Sequence, residues 1–207
     1  MRQTKKACIA FILIVALFLS LQFTQLIEDH YYNKDEYPPT WVQVLSGAGK
    51  GHFGTGQYSS TPNNLDLSIL EPGDILLGGN PGGSYGHYTH AGIYIGNDQV
   101  VTMYTSTGVY LEPPSAYHRY HWAAIGRVKA SPQQKEKAVS YCRSQIGSPF
   151  HILSPQTEDG LWYCSKLIWF AFYKQGIDLD PLDSYWVLPD AFAYSPHLQI
   201  LEKAEVE

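Results

Sequence analysis

The stretch from Thr89 to Asp98, Thr-His-Ala-Gly-Ile-Tyr-Ile-Gly-Asn-Asp, runs directly into Gln-Val-Val-Thr-Met-Tyr-Thr, which ends at Thr105. Two apolar-rich runs separated by Gly-Asn-Asp are typical of two antiparallel strands joined by a tight turn. We therefore predict a β-hairpin, with one strand over 89–95 and the return strand over 99–105. Because one face of such a hairpin must be buried, the stretch also predicts where a core lies.

Side chains along a strand point alternately to its two faces, so the apolar residues of the first strand leave His90 on the opposite face. Gly92 lies on that same face and is expected to leave space beside His90 for an approaching substrate. If the return strand buries Val101 and Met103, then Thr102 lies near His90 across the hairpin and can accept a hydrogen bond from its ring. The residues predicted to face the core are Ala91, Ile93 and Ile95.

Further elements follow from turn residues and periodicity. The turn Glu71-Pro-Gly-Asp precedes a short apolar run. Ser131 and Gln134 form a capping box, which predicts the start of a helix whose apolar face carries Cys142. Gly176 ends a later apolar helical run. The predicted elements beyond the hairpin are strands over 75–77 and 125–128 and helices over 131–146 and 164–174.

The chain has three cysteines, and their settings differ. Cys8 lies in an apolar N-terminal run, and Cys142 is most simply a small core residue on a helix face. Cys164 stands where an apolar helix begins, and a helix N-terminus directs free N–H groups and partial positive charge at that position. Such a setting suits a nucleophilic thiolate, although a buried structural cysteine fits the position equally well. His90 is the candidate base.

The N-terminus has the pattern of a targeting segment. Basic residues precede an apolar run over 7–21 that continues more weakly to Ile27. This predicts a signal peptide or, because no A-x-A-like cleavage site is present, an uncleaved membrane anchor with the rest of the chain outside the cytoplasm. The predicted division is 1–28 as signal or anchor, 29–66 as linker and Gly-rich loop, and 67–207 as the compact domain.

The sequence argues against two functions, nucleic-acid binding and a phosphate-binding loop. The 207 residues carry a net charge of -5, which argues against binding nucleic acid, because that requires clustered Lys and Arg. Gly49-Lys50 superficially resembles a phosphate-binding loop. However, Val44 stands where the motif needs its first glycine, and Gly51 follows the lysine instead of Ser or Thr.

Four blocks, taken in order, resemble the permuted NlpC-like papain-fold hydrolases of the YiiX/YebB-like group. The resemblance covers about two-thirds of the chain and implies an α+β domain in which the cysteine helix packs on an antiparallel sheet. In this group the histidine strand precedes the cysteine helix. The blocks are Glu71-Pro-Gly-Asp-Ile-Leu, Thr89-His-Ala-Gly-Ile-Tyr-Ile-Gly-Asn, Trp162-Tyr-Cys-Ser-Lys-Leu-Ile-Trp and Gly176-Ile-Asp-Leu.

The resemblance also implies residue roles. Cys164 is expected to be the nucleophile and His90 the general base, with an oxyanion hole built partly from the cysteine backbone N–H and Tyr163 as its neighbour. The group often has a Glu at about the position of Thr102, which is here the candidate for orienting the imidazole. Lys166 stands where the group commonly has an acidic residue.

The leading hypothesis is an extracytoplasmic cysteine hydrolase that cleaves an amide bond, with cell-wall peptide as the expected substrate and no cofactor. One alternative is an acyltransferase or lipid hydrolase on the same fold, with an acyl substrate and a membrane partner. A second is a non-catalytic binding domain. A third is a metal site at His87 and His90, but residues three apart in a strand face opposite sides. More distant ligand candidates are His52, Asp74 and His151.

Overall fold

The computed structural model describes residues 9–16, 18–19, 22–23, 26, 40–52, 54–154, 156, 158–181 and 185–206. The described residues form a six-stranded antiparallel sheet in the order β4-β3-β2-β1-β5-β6. The strands are β1 (Ile75–Gly79), β2 (His90–Gly96), β3 (Gln99–Tyr104), β4 (Gly108–Glu112), β5 (Trp122–Val128) and β6 (Leu198–Glu205). The α-helices are α1 (Thr40–Gly49), α2 (Pro132–Ser144), α3 (Cys164–Tyr173) and α4 (Ala191–Tyr194), and two 3₁₀ helices span Leu67–Ile69 and Pro114–Arg119.

The predicted hairpin is strands β2 and β3, which lie side by side in the middle of the sheet. Its turn residues Asn97 and Asp98 have φ values of 55° and 56°, the left-handed pair that a type I′ turn requires. Asn and Asp tolerate this conformation better than other non-glycine residues, which explains why the chain turns here. Strands β4 and β6 were not predicted.

Helices α2 and α3 cover one face of the sheet, and the main core lies beneath them. The strand residues predicted to be buried, including Val101 and Met103, belong to this core. The opposite face is covered by the Pro114–Arg119 turn and the residue after it, whose Tyr117 and Tyr120 side chains are fully buried. The sheet is therefore buried on both faces, which makes the His90 face an interior rather than an open surface.

Helix α2 begins with the predicted capping box. The Ser131 hydroxyl accepts from the Gln134 N–H, and the Gln134 side chain accepts from the Ser131 N–H. Cys142 is fully buried, as expected, and is free of any disulfide. The helix was predicted to extend to Ile146, but it ends at Ser144, and Ile146 is 42% exposed.

The described residues leave most of the N-terminal expectations untested. Helix α1 lies within 29–66, where a linker and a Gly-rich loop were predicted. Residues 9–16 are helical, but much of the segment 1–28 lies outside the described residues. Among the helices of the described ranges, none has the length and apolar character needed to cross a bilayer. The signal or anchor therefore stays a prediction.

Candidate active site

The predicted hairpin opens at the end where His90 stands. Strands β2 and β3 pair at Gly96, Tyr94 and Ile93, and the recorded pairing stops there. The carbonyl of Ala91 accepts a hydrogen bond from the side-chain hydroxyl of Thr102 on β3 at 2.9 Å. The N–H of Ala91 approaches the Cys164 sulfur. This opening lets the tip of a helix reach the backbone beside His90.

Cys164 is the first residue of α3. The residue before it, Tyr163, is extended at φ -132°, and its side chain makes no capping hydrogen bond, so the first N–H groups of the helix stay available. Burial raises the pKa of the Cys164 thiol, while the N–H groups of Ala91, Ser165 and Cys164 itself oppose that rise. The thiol is thus held protonated at neutral pH in a setting rich in N–H donors.

The ring of His90 lies inside the opposite face of the sheet, where it stacks on Tyr104 with 4.2 Å between ring centroids. His90 is 2% exposed. Burial, reinforced by the positive charge of Arg119, lowers the pKa of His90 to about 3. His90 is therefore a neutral imidazole at physiological pH.

Thr102 determines which nitrogen of the His90 ring carries no proton. Its Oγ1 lies 2.7 Å from Nε2 of His90, and its hydroxyl hydrogen points to the Ala91 carbonyl. Since that hydrogen is already donated, Oγ1 accepts from Nε2–H, and Nδ1 of His90 keeps its lone pair. The predicted contact between Thr102 and His90 is thus present, and it selects one tautomer.

Glu112, at the end of β4, was missed by the sequence reasoning. Its Oε1 lies 4.0 Å from Nε2 of His90, and its Oε2 accepts from Tyr110 at 2.8 Å and from Arg119 at 3.3 Å. Burial raises the pKa of Glu112, while Tyr110 and Arg119 oppose the rise. The missing acidic group therefore lies one strand beyond Thr102. The alternation of Gly-Val-Tyr-Leu-Glu after Thr107 was the available signal for this strand.

The space predicted beside Gly92 is filled by the protein. A Cβ at Gly92 would lie 2.4 Å from the Tyr117 hydroxyl oxygen and 2.5 Å from a methyl carbon of Val100. Gly92 therefore admits Tyr117 to the core, not a substrate to His90. The expectation of a substrate path over this face was wrong, because the Pro114–Arg119 turn covers it.

Tyr163 contacts the 185–189 segment, which lies beside Cys164. Its hydroxyl accepts a hydrogen bond from the Val187 N–H at 2.9 Å, and the side chain is buried. The Ser165 hydroxyl donates to the Val187 carbonyl at 2.6 Å, so the same residue is held twice. Tyr163 thus fixes the 185–189 segment beside Cys164. Its expected place next to an oxyanion hole stays a prediction.

Lys166 anchors the loop that leads into α3. Its fully buried ammonium donates to the Ser154 hydroxyl at 2.8 Å, the Glu158 carbonyl at 2.7 Å and the Leu161 carbonyl at 2.8 Å. Burial lowers the pKa of Lys166 to about 8. The lysine therefore ties this loop to the helix two residues after Cys164.

These groups can support acyl transfer to sulfur. A thiol, a neutral imidazole and the first N–H groups of a helix are the parts that nucleophilic catalysis requires. No hydrogen bond joins the Cys164 thiol to the His90 ring in the described residues, and such contacts often tighten only when substrate binds. Within the described ranges, no cluster of three or more His, Cys, Asp or Glu side chains could hold a metal ion.

A cysteine at a helix tip, packed against an antiparallel sheet whose histidine strand comes earlier in the chain, defines the permuted papain-like class. Residues 70–202 match the family model described as permuted papain-like amidase enzyme, YaeF/YiiX, C92 family. The match covers more than half of the chain. The chain therefore belongs to this family.

Two relatives agree with this assignment. The uncharacterized protein YycO of Bacillus subtilis (strain 168) is 32% identical over 111 residues, which are 51% of this chain and 45% of YycO. The chain thus matches less than half the length of that relative. The crystal structure of metalloprotein yiiX from Escherichia coli O157:H7 aligns with a TM-score of 0.54 at 18% identity, covering 64% of this chain and 97% of that one. This likeness shows the shared fold.

Proposed function

We propose that the protein is a cysteine amidase in which Cys164 is the nucleophile and His90 the general base. The observation that supports this most is the opening between β2 and β3. There the sulfur of Cys164 meets the N–H of the residue next to His90. Membership of a family of permuted papain-like amidases supports the same chemistry.

The first half of the reaction uses the neutral pair. His90 takes the thiol proton at Nδ1 while the sulfur of Cys164 attacks the amide carbon, and the N–H groups at the start of α3 stabilise the developing oxyanion. His90 then returns the proton to the nitrogen of the leaving amine. A thioester on Cys164 results.

In the second half of the reaction, water is the nucleophile and the sulfur of Cys164 is the leaving group, which receives the proton from His90. Water gives a proton to His90 and attacks the thioester, which releases the acid and restores the thiol. In both halves Thr102 holds the ring through Nε2–H, and the negative charge of Glu112 stabilises the imidazolium that forms. Since the resting imidazole is neutral, the enzyme works by general-base catalysis and not through a preformed ion pair.

We further propose that the reaction takes place outside the cytoplasm and that the apolar segment 7–21 holds the domain at a membrane. The basic residues before that segment support this placement through the positive-inside rule. A cell-wall peptide is then an accessible amide substrate.

The test compares amide hydrolysis by the full chain with that by Cys164→Ala and Cys142→Ala. Both substitutions replace a cysteine by the same residue, but Cys142 is a core residue on α2. Loss of turnover in Cys164→Ala alone is expected. Undiminished turnover in Cys164→Ala would refute the proposal.

A further inference from the structure

Residues 187–190 contact two separate parts of the site. At one end, both neighbours of Cys164 bond to the backbone of Val187. The Tyr163 hydroxyl accepts from the Val187 N–H at 2.9 Å, and the Ser165 hydroxyl donates to the Val187 carbonyl at 2.6 Å. Because Val187 is fully buried, water does not compete for these hydrogen bonds. This end of the segment therefore follows the tip of α3.

The other end of the segment is Asp190, whose carboxylate reaches the residues just before β2. Its Oδ1 accepts from the Tyr88 N–H at 2.9 Å, and the His87 N–H also approaches the carboxylate. Asp190 is 5% exposed. Burial raises the pKa of Asp190 to about 6, while these two N–H groups oppose the rise. Asp190 is therefore ionised at neutral pH, and it holds the main chain two residues before His90.

Local structure does not account for Asp190. It precedes α4, where an aspartate commonly caps the helix, but its side chain makes no capping hydrogen bond. Within the described ranges, no positively charged side chain contributes to its pKa. The loop before β2 instead leaves room for it at Gly86, where an added Cβ would lie 2.7 Å from the Cβ of Asp190. The carboxylate is thus directed away from its own helix and toward the histidine strand.

The two ends of the segment are joined by a short, restricted stretch of chain. Between them lie Leu188 and Pro189, and the proline ring fixes its own φ angle. The Ala191 N–H donates to the Leu188 carbonyl at 3.1 Å, which closes the turn into α4. Val187 and Asp190 are therefore kept at a set separation. Since one end holds the neighbours of the thiol and the other holds the start of β2, this separation determines how the thiol and the imidazole are aligned.

We propose that Asp190 is a positioning residue that holds the thiol of Cys164 and the ring of His90 in the alignment that proton transfer requires. This inference rests on the proposed function, and it adds a residue to it. No hydrogen bond joins Asp190 to either of these side chains in the described part of the chain. Its effect therefore passes through the main chain, from the residues before β2 to those at the tip of α3.

The test measures alkylation of Cys164 by iodoacetamide at neutral pH, where the thiol is protonated and His90 is the expected base. The rate is compared in the wild type, Asp190→Asn, His90→Gln and the double variant. Asp190→Asn keeps the shape of the side chain, but it turns one acceptor oxygen into a donor that opposes a main-chain N–H. We expect it to slow alkylation about tenfold when His90 is present. It should have no effect in the His90→Gln background, because residues that act through one another are not additive.

Two further variants separate positioning from folding. Tyr163→Phe removes the hydroxyl that holds the other end of the segment, and it should show the same dependence on His90 even if Asp190→Asn does not fold. The control Asp66→Asn alters an exposed aspartate that also accepts a main-chain N–H, from Ser68, and should leave the alkylation rate unchanged. On an amide substrate, Asp190→Asn should lower kcat and leave KM unaltered.

The outcomes distinguish this inference from the proposed function. An equal loss of alkylation rate with and without His90 would overturn the positioning role and leave the amidase proposal standing. If no amide is hydrolysed but the loss still depends on His90, the amidase proposal fails and the positioning role is supported. An alkylation rate that His90→Gln does not change would overturn both, because no proton would then pass between the two side chains.

Discussion

Oε1 of Glu112 lies 4.0 Å from Nε2 of His90, and among the described residues it has no hydrogen-bond partner. A buried carboxylate oxygen without a partner is costly unless a positive charge forms beside it. In the proposed mechanism, the imidazolium of His90 that forms during the reaction supplies such a charge. Glu112 is therefore placed to act in the transition state and not in the resting enzyme.

Replacing Glu112 by Gln should lower kcat by about 10- to 100-fold, because the charge is lost while the shape is kept. Two charges 4 Å apart interact by about 4 kcal/mol near a protein surface. Glu112 and His90 are not joined by a direct hydrogen bond, so we expect a smaller effect. Steady-state kinetics on one amide would measure the effect. Glu136→Gln changes an exposed glutamate on α2 and is the control. An unaltered kcat in Glu112→Gln would remove Glu112 from the mechanism.

Thr102→Val should reduce kcat by about tenfold, since the nearly isosteric side chain cannot accept from Nε2–H of His90 or donate to the Ala91 carbonyl. Thr102→Ser keeps the hydroxyl and should recover most of the activity. Thr102→Val keeps the methyl group and loses the hydroxyl, whereas Thr102→Ser keeps the hydroxyl and loses the methyl group. A larger loss in Thr102→Ser than in Thr102→Val would indicate that the methyl group of Thr102, and hence packing, is what matters.

Alkylation of Cys164 should be slow at neutral pH and should accelerate as the pH rises above the ordinary pKa of a thiol. Burial raises the pKa of Cys164, so the thiolate forms later than in a free cysteine. Iodoacetamide labelling across pH, followed by mass spectrometry of the intact chain, would record this. Full labelling below neutral pH would instead indicate a preformed thiolate and contradict the neutral pair.

Acid should destabilise the wild type more than it destabilises His90→Gln. The pKa of His90 is lowered from 6.5 to about 3 in the folded protein, so the unfolded chain binds more protons between those pH values. Stability is then lost as the pH falls through that window, by up to about 1.4 kcal/mol per pH unit. Urea denaturation of both proteins from pH 7 to pH 4 measures the difference. A constant difference would show that His90 titrates normally.

Lys166→Met should cost about 3 kcal/mol of unfolding free energy, because it leaves the Ser154 hydroxyl and two carbonyls without their buried donor. Lys129→Met is the control, since the ammonium of Lys129 donates to the Pro196 carbonyl at an exposed position. Urea denaturation at constant pH compares the two. Similar losses of unfolding free energy in both variants would show that burial does not increase the contribution of Lys166 to stability.

The hairpin and the helix ends were accessible to sequence reasoning because they depend on local signals. The Asn97-Asp98 turn, the Ser131 capping box and the start of α3 at Cys164 all follow from neighbouring residues. The contact between Thr102 and His90 was also predictable, since strand alternation and the turn together determine register.

The remainder of the site depends on contacts between distant segments. Tyr117 occupies the space above Gly92 only because the Pro114–Arg119 turn folds over the sheet. Glu112 reaches His90 because β4 pairs with β3, and the alternation that indicates this strand does not specify that its last residue lies beside His90. The sequence around His90 and Gly92 would be the same whether a substrate or Tyr117 filled the space beside Gly92, so the sequence pattern could not distinguish the two.

The hairpin opening bears on how this protein can be probed. The group that Ala91 offers to Cys164 is a main-chain N–H, which every amino acid except proline also carries. A saturation scan would therefore report only how well each side chain packs at this position, and its tolerance map would overlook the contact. Replacing the Ala91 amide by an ester through semisynthesis would delete that single donor and make its contribution measurable.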